Sequence, residues 1–589
     1  MGDNFETFTI IEIIEVSEML VSLSIISMIL VVAIAEHSSI SWKITAATKS
    51  GKQLLQNVFG YAKSGKIHAI LGPSGSGKTT LLNALAAQIP KGSLKLSGSV
   101  AVSMEFDPIF IQQEDILFSQ LTSKETLDTS YDLRKEDSNA AKDTTVSNLL
   151  NSLGLKKVAN TQVGDKKTKG ISGGEKKRLH IGNEIVDSDM ESNFLFADEP
   201  TSGLDCFQAE RVVQLLRNIA EKGSTVIFSI HQPRASIFEL FQDITLLSEG
   251  RVVYSGSKDD MTIYFADLGY SCPSNVSPAE YYVDLVSVDY STPEEEQRTK
   301  DRTHMLADKF ADRKVVDYLE HRVREEDRIH KGKKPVVPTR QHRGTFHSLA
   351  LRMSALLRGI NRSLQKFGIL YGRAWKQVTR DKPLNIARFA SSVFSALLFG
   401  VIYFKLGKES STAADRLGLL QVAAVNCAMT SLIKATTSFV TEKMVIKKER
   451  QRGSYGVIPY FMAKMLAEIP LSSFFPCLFG VIIYNMCGLN NAPGKLLSFI
   501  SILVMEAIAS TSFGMSVGSL VPTAESGIAI APAVMVIFIV FGGLYVVNVP
   551  SYLKWMPLVS KIYHRVLVHT EYFPMQSLFY VVFFELVCC

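Results

Sequence analysis

The feature that most constrains the fold of this chain is a series of long apolar stretches toward its C-terminus. They cover residues 389–404, 417–440, 465–487, 496–521 and 528–547. Roughly 20 apolar residues in an α-helix cross the hydrocarbon core of a membrane, which is about 30 Å thick. The sequence therefore predicts an all-α transmembrane helical domain with five long spans.

The sequence before these stretches follows a different pattern. From residue 51 to residue 290, short β-type runs alternate with helical ones, which is typical of a soluble α/β domain. Over all 589 residues the hydrophobic content is 47% and the mean hydropathy is +0.14, and both are high for a soluble protein. We expect a soluble α/β domain followed by a membrane domain.

Basic residues orient the predicted spans. The loop at 441–464 carries far more lysine and arginine than its neighbours, at positions Lys443, Lys447, Lys448, Arg450, Arg452 and Lys464. Loops rich in these residues stay on the cytosolic side of a membrane. The α/β domain would then be cytosolic too, and residues 488–495 and 548–574 would lie on the far side.

A glycine-rich motif, GPSGSGKT, lies early in the α/β region at residues 72–79. It fits the P-loop pattern, in which backbone N–H groups surround phosphates, the lysine reaches the β- and γ-phosphates and the hydroxyl binds Mg²⁺. A buried strand at 66–72 and a helix at 79–88 provide the expected context. The predicted ATP-binding residues are Gly72, Pro73, Ser74, Gly75, Ser76, Gly77, Lys78, Thr79 and Thr80.

Further polar motifs follow the P-loop in order. Gln113 is placed to bring its amide oxygen to Mg²⁺ or to an attacking water. An apolar strand then delivers Asp198 to the metal and Glu199 to the water, whose proton Glu199 would accept. These carboxylates would otherwise merely cap a strand end. The ordered motifs TSGLD at 201–205 and SIHQP, which contains His231, argue against that interpretation.

Between these motifs the chain reads ISGGEKKR, and with this motif it resembles the ATP-binding cassette family. The resemblance covers the whole α/β domain and makes Ser172, Gly173 and Gly174 the signature motif, with ATP and Mg²⁺ as cofactors. It implies a head-to-tail dimer, in which ATP on the P-loop of one chain is closed over by the signature of the other. It also implies that Asp205 contacts the partner across the dimer and that His231 senses the γ-phosphate.

A physical argument supports a shared site. The signature residues head a predicted helix, and a glycine-flanked helix N-terminus is an anion site. The residue that stacks on adenine stays unassigned, since Trp42 is the aromatic candidate and its register in the first strand is doubtful.

The order of the domains resembles the G subfamily, the white or pigment-type half-transporters. The matching segments are residues 447–470 and 268–287. In this resemblance Glu449 and Arg450 sit in a coupling helix that rests on the ATPase, and residues 367–382 form an interfacial connecting helix. An ordinary amphipathic core helix is the alternative for 367–382. The substrate cavity implied on the dimer axis would be lined by Asn426, Thr430, Phe439, Phe538 and Phe541.

Four segments are predicted: a leader at 1–38, the nucleotide-binding domain at 39–290, a charged linker at 291–365 and the membrane domain at 366–589. The apolar run at 19–35 follows acidic residues, which favours an uncleaved anchor or, alternatively, an interfacial or disordered leader. The sixth span at 576–589 is about 21 Å long as a helix, too short to cross comfortably. Either the bilayer thins locally or the C-terminus is truncated or misread, and we expect the latter.

Ionisable residues inside predicted spans mark functional sites by default. Lys434 and Glu506 lie inside, whereas Glu468 lies near a predicted span end and is expected to snorkel. The seven cysteines have no C-x-x-C spacing, so the sequence indicates neither a zinc site nor a disulfide framework. A net charge of +6 without base-reading motifs argues against a nucleic-acid partner.

These features predict an ATP-hydrolysing half-transporter that exports lipids, sterols or other hydrophobic small molecules. It would work as a homodimer or as a heterodimer with another half-transporter, in the plasma membrane rather than an internal one. The alternative is a non-transporting regulatory or truncated subunit that binds ATP and pairs with another half-transporter.

Overall fold

The computed structural model describes residues 39–312 and 349–540, apart from gaps at 90–92, 103–105, 107, 136–138, 166–167, 188–192, 408–409 and 490–493. The chain divides into two compact units. The first comprises the described parts of Met1–Asp115, Ser138–Thr161 and Ile171–Thr345, and the second those of Ile116–Asp137, Gln162–Gly170 and Phe346–Cys589. The leader, the predicted sixth span and most of the charged linker lie outside the described residues.

The first unit contains two sheets. The smaller is antiparallel with strand order β2-β1-β4, formed by β1 Ile40–Thr48, β2 Gln53–Ala62 and β4 Leu94–Val102. The larger has the order β5-β6-β7-β3-β8-β9, formed by β3 Ile67–Leu71, β5 Pro108–Ile111, β6 Phe194–Ala197, β7 Thr225–Ser229, β8 Asp243–Ser248 and β9 Arg251–Ser257. Its strands are parallel except for the β8–β9 pair. This sheet confirms the α/β fold class.

Helices surround this larger sheet. Those of the first unit are α1 Lys78–Leu85, α3 Asn139–Ser152, α4 Gly173–Ile185, α5 Cys206–Glu221, α6 Ala235–Phe238, α7 Lys258–Asp267, α8 Pro278–Leu285 and α9 Pro293–Ala311. Helix α1 ends three residues before the predicted position at 88. Helix α9 occupies the start of the predicted linker, where Phe310 is buried against Phe59. The predicted domain bounds stay predictions.

Trp42 on β1 is a core residue. It is fully buried, and its ring meets His68 edge-on with ring centroids 5.7 Å apart. A Cβ at Gly60 would lie only 2.3 Å from the indole, so the glycine makes room for it. Stacking on adenine needs an accessible ring face, and this packing leaves Trp42 without one.

The second unit is helical. Its helices are α2 Ser123–Arg134, α10 Leu349–Arg380, α11 Lys382–Ile402, α12 Ala413–Gln451, α13 Val457–Met486, α14 Lys495–Leu520 and α15 Ala524–Val540. In length and composition α11 to α14 are able to cross a membrane, and α15 is a shorter apolar helix. These helices confirm the predicted α-helical membrane domain. The predicted orientation of the spans stays a prediction.

Small residues bring two of these helices close together. A Cβ at Gly514 on α14 would lie 2.6 Å from the carbonyl oxygen of Leu432, and one at Gly518 would lie 3.0 Å from that of Thr436. The Thr436 hydroxyl also donates a hydrogen bond to the Gly514 carbonyl oxygen. Close backbone approach at small residues spaced by four is the usual packing of membrane helices.

Charged side chains are paired inside the membrane helices. Lys434 on α12 donates to Glu468 on α13, and both side chains are buried. Lys464 donates to Glu442 over 2.7 Å. The expectation that Glu468 snorkels is therefore wrong, because its carboxylate is bound within the helix bundle. Its 2% exposure leaves it no access to a membrane surface.

Helix α10 contains the predicted connecting helix and begins well before it. One face carries the exposed side chains Leu364, Tyr371 and Trp375, while Leu370 on the opposite face is buried. Helix α2, which follows strand β5 in sequence, belongs to the same unit as α10 and packs against it. Arg380 makes a bidentate pair with Glu125 of α2, with N–O distances of 2.6 and 2.9 Å.

Candidate nucleotide site

The candidate site is built at the carboxyl ends of parallel strands. The P-loop follows β3, Asp198 and Glu199 follow β6, and Gln113 follows β5. Because β6, β7 and β3 are neighbours in the sheet, the residues that follow them meet at one edge. Ligands of open α/β sheets bind at this edge.

Glycines shape the P-loop backbone. Gly72 has φ +147°, and a Cβ there would lie 2.2 Å from the carbonyl oxygen of Leu247. Gly75 has φ +79° with open space where a Cβ would be. Gly77, with φ +101°, is the N-cap of α1. The loop therefore follows a positive-φ backbone path that residues other than glycine rarely adopt, and it ends on a helix N-terminus, where the dipole favours an anion.

Lys78 lies folded back over its own loop. Its ammonium donates to the carbonyl oxygens of Gly72 and Pro73, each at 2.8 Å. Burial lowers the pKa of Lys78 below its usual value, and the carboxylates of Glu199 and Asp198 oppose that shift. A phosphate chain would compete with the two carbonyl groups for this cation.

Three side chains converge where a magnesium ion would sit. Thr79 Oγ1 donates to Asp198 Oδ1 over 3.1 Å, and Ser229 Oγ donates to the same oxygen over 2.6 Å. Hydroxyl and carboxylate oxygens are the ligands that Mg²⁺ takes from proteins, with phosphate oxygens and water completing its shell. Thr79 and Asp198 would hold the ion, and Ser229 fixes the carboxylate.

Glu199 has a strained backbone. Its φ is +42°, which is rare for a residue other than glycine, and its N–H donates to Ser229 Oγ over 2.9 Å. Gln113 Nε2 donates to Glu199 Oε2 over 2.8 Å. Strain of this kind concentrates at functional sites. A carboxylate held beside the metal position is placed to accept a proton from water.

The residues present fit ATP and Mg²⁺. In the described part of the chain the buried hydroxyl of Ser76 has no hydrogen-bond partner. Such a group is costly unless something satisfies it, and a phosphate oxygen would do so. The open space at Gly75 and the cation of Lys78 suit the same ligand. Gln113 is exposed and supplies a further amide toward the site.

The signature residues cap α4. Ser172 is the N-cap, and its hydroxyl accepts from the Glu175 N–H while Glu175 accepts from the Ser172 N–H. A Cβ at Gly174 would lie 2.4 Å from Gln208 Oε1, so this glycine packs on α5. Among the described residues, Ser172 bonds to Glu175, Gly173 lies beside Leu204, and Gly174 lies against Gln208.

Asp205 and His231 lie near strand and helix ends. Asp205 is the N-cap of α5, where its Oδ1 accepts from the Gln208 N–H over 2.9 Å. His231 follows β7 by two residues and is exposed. Both positions leave the side chains at the surface of the first unit. Their predicted roles stay predictions.

The predicted coupling residues lie at the end of α12. Glu449 accepts a bidentate pair from Arg373 of α10, with N–O distances of 2.7 and 3.0 Å, and also accepts from the Tyr455 hydroxyl. Arg450 is exposed. The helix is about 58 Å long at 1.5 Å per residue, far longer than one membrane thickness. Glu449 is thus tied to the amphipathic helix α10.

The predicted cavity residues differ in their surroundings. Thr430 is exposed, and Asn426 donates to Ser395 Oγ over 3.2 Å. Phe439 is 6% exposed and packs in a core cluster of its own unit, which argues against the lining role predicted for it. Phe541 and the side chain of Phe538 lie outside the described residues.

Sequence reasoning missed two polar residues at this site. Ser229 contacts both Asp198 and Glu199, and the only sequence signal is its place at the end of the β-type run before His231. Lys177 of α4 donates to the Gln113 carbonyl oxygen over 2.6 Å. The feature of the sequence that could have identified Lys177 is a lysine on the side of a predicted helix that faces the core.

Comparison with models of protein families supports the assignment of both units. Residues 55–202 match the family model described as ABC transporter, which covers the P-loop, the signature and the strand before Glu199. Residues 365–566 match the model described as ABC-2 type transporter, and residues 231–313 match a second model of that description.

Several curated relatives align over most of the chain. ABC transporter G family member 7 of Arabidopsis thaliana is 42% identical over 530 residues, which is 88% of this chain and 70% of the relative. Protein white of Drosophila melanogaster is 30% identical over 86% of this chain and 73% of its own. Broad substrate specificity ATP-binding cassette transporter ABCG2 of Mus musculus is 31% identical over 86% and 77%.

Proposed function

Because the chain belongs to the G family of ATP-binding cassette transporters, we propose that two half-transporters, at least one of them this chain, form an exporter of hydrophobic small molecules. The chain is an integral membrane protein that binds ATP and couples its hydrolysis to transport. The dimer, the Mg²⁺ ion, the direction of transport and the class of substrate are the parts proposed.

The observation that carries the dimer is the placement of the signature. Ser172 and Gly173 lie exposed at the N-terminus of α4, and their described contacts are with α4 itself and with Leu204. A helix N-terminus with free N–H groups binds an anion. A nucleotide held by the P-loop of a second chain supplies that anion, and each P-loop then needs the other chain's signature.

In this dimer the residues have separate roles. Lys78 and the P-loop backbone bind the phosphates, and Thr79, Asp198 and Gln113 hold Mg²⁺. Glu199 accepts the proton of the attacking water, and His231 contacts the γ-phosphate. The family resemblance gives Glu449 and Arg450 the role of passing cassette closure to the membrane helices, and the bond between Glu449 and Arg373 would extend that role to α10 within the same unit. Closure then turns the cavity from the cytosol to the far side.

Hydrophobic small molecules are the proposed substrate class, with lipids and sterols among them. The mouse relative is named for broad substrate specificity, and exposed apolar side chains such as Phe394 and Val401 lie on α11. We place the exporter in the plasma membrane. Mass spectrometry of the lipids that co-purify with the dimer tests the substrate class, and surface labelling of intact cells tests the location.

The Glu199→Gln variant tests the catalytic assignment. Removal of a general base slows a reaction by about 10² to 10⁴-fold, so ATP turnover and ATP-dependent uptake by inside-out vesicles should fall by at least about 10²-fold. Nucleotide binding should persist, because Lys78 and the P-loop are intact. Glu221→Gln is a matched control, since Glu221 is 50% exposed and pairs with Arg217 on α5. Unchanged turnover in Glu199→Gln would make the assignment wrong.

A further inference from the structure

Lys177 is a buried cation in the signature helix. Its side chain is 2% exposed, and its ammonium lies 2.8 Å from Asp115 Oδ1. An ammonium group loses its hydration in such a place and persists there only when its partners replace the water. The charge of Lys177 is therefore held by specific contacts.

The contacts that the structure describes for the Lys177 ammonium lie in the segment that follows β5. Lys177 Nζ donates to the carbonyl oxygen of Gln113 over 2.6 Å, in addition to its pair with Asp115. Asp115 is itself only 3.4 Å from Nδ1 of His180, one turn further along α4. Burial raises the pKa of Asp115, but hydrogen bonding and charge from His180 and Lys177 outweigh it and hold that pKa below its usual value. The segment 113–115 is thus clamped to α4 by a charged network.

Gln113 extends this network to the reaction site. Its backbone carbonyl accepts from Lys177, and its side-chain amide donates to Glu199. Gln113 is therefore held through its backbone carbonyl group by Lys177 of the signature helix and through its side-chain amide by Glu199, the proposed general base. A shift of the Gln113 side chain toward Mg²⁺ or the γ-phosphate would pull on its carbonyl group and so on Lys177.

We propose that Lys177 is a positioning residue that couples the two ATP sites of the dimer. The inference rests on the proposed dimer, in which α4 closes the nucleotide of the partner while Gln113 senses the nucleotide of its own chain. Lys177 joins the two within one chain, because it lies two turns or less from Ser172 on a continuous helix. Binding at one site then orients the signature that completes the other.

A coupling role and a purely structural role for Lys177 differ in the measured property that its substitution would change. A structural ion pair would affect the yield and stability of the protein and leave the ATP dependence of the surviving protein unchanged. A coupling residue alters how the rate rises with ATP concentration. We therefore expect Lys177→Met to keep nucleotide affinity at a single site, to lower kcat about tenfold and to lower the Hill coefficient for ATP toward 1.

The experiment uses the purified full-length chain in lipid nanodiscs. ATPase rates are measured over a range of ATP concentrations, and a fluorescent ATP analogue reports binding separately. Lys300→Met is the matched control, because Lys300 forms a half-buried ion pair with Glu296 on α9, where no residue of the network around Lys177 takes part. Lys177→Arg should regain part of the cooperativity, since it restores a cation at the same position, and Asp115→Asn should weaken it while the bond to Gln113 remains.

Each result decides between the proposals. A cooperative wild type with a Hill coefficient near 1 in Lys177→Met supports the coupling role. A cooperative wild type with equal cooperativity in Lys177→Met and Asp115→Asn overturns the coupling role and leaves the transporter intact. A dimeric wild type whose rate follows a simple hyperbola overturns the coupling role alone. A monomeric wild type that hydrolyses ATP overturns the dimer of composite sites and the coupling role together. If Lys177→Met does not fold, Asp115→Asn and Lys177→Arg decide alone.

Discussion

The ion pair between Arg373 and Glu449 should dominate the stability of the second unit. The two side chains are 3% and 13% exposed, and the pair is bidentate. Arg373 also lies over the ring of Phe118 at 4.6 Å. Removal of one partner of a buried pair costs about 3–5 kcal/mol, because the other charge stays buried without a partner. Arg373→Met and Glu449→Met should each lose that amount.

The double variant Arg373→Met/Glu449→Met should lose much less than the two single losses together. It buries no unpaired charge, and its main cost is the Tyr455 hydroxyl, which loses both partners. An unsatisfied buried hydroxyl costs about 1–3 kcal/mol. The coupling energy of the pair is therefore at least about 3 kcal/mol.

SDS titration of the protein in mixed micelles, followed by fluorescence, measures these free energies. Lys382→Met is the matched control, since Lys382 is an exposed residue at the start of α11, and it should change stability by no more than about 0.5 kcal/mol. If the two single losses simply add in the double variant, the reasoning about a buried and mutually dependent pair is refuted.

Three further predictions concern charge and glycine. Burial raises the pKa of Glu125, but hydrogen bonds from α10 and from the N-terminus of α2 outweigh it and lower that pKa from 4.5 to about 2. The ionised Glu125 therefore stabilises the folded protein fully above pH 4.5, and this contribution is lost as the pH falls toward 2. Between these pH values the melting temperature of the wild type should fall faster than that of Glu125→Gln. Gly72→Ala should weaken binding of a fluorescent ATP analogue at least tenfold, because its Cβ meets the Leu247 carbonyl oxygen, and equal affinity would contradict this. Lys434→Met should reduce the yield of monodisperse protein in gel filtration, because it leaves the buried carboxylate of Glu468 without this partner. Adding Glu468→Gln to the same chain should restore part of the yield. An unchanged yield in Lys434→Met would show that the pair is dispensable.

The nucleotide site was largely predictable because its residues belong to motifs with fixed spacing. The structure places Lys78, Thr79, Asp198 and Glu199 at one sheet edge, as the strand and helix pattern predicts. Ser229 escaped prediction because a serine at the end of a strand has no motif of its own. Its role depends on β7 lying beside β6, and a single sequence does not state the strand order.

Within the described residues, the sequence predicted where the membrane helices lie better than where they end, and four of the five long apolar stretches form helices long enough to cross a membrane. Apolar length identifies the spans, but α12 runs on to Gln451 through a basic segment that hydropathy assigns to a loop. Charged residues continue a helix as readily as apolar ones, so composition marks the membrane limit and not the helix end. The pairing of Lys434 with Glu468, 34 residues apart, depends on helix packing and has no local signal.

The path of the chain between its two units has a consequence for how this ATPase can be studied. Residues 116–137 and 162–170 belong to the membrane unit, and they join the first unit at Asp115 and at Ile171. The junction at Asp115 is two residues from Gln113, and the junction at Ile171 is one residue from Ser172. A soluble fragment cut at residue 312 would retain both inserts without the helices that hold them, and its hydrogen-exchange protection should collapse first beside these two motifs. The main chain itself thus joins the helices of the second unit to the segments that carry Gln113 and Ser172.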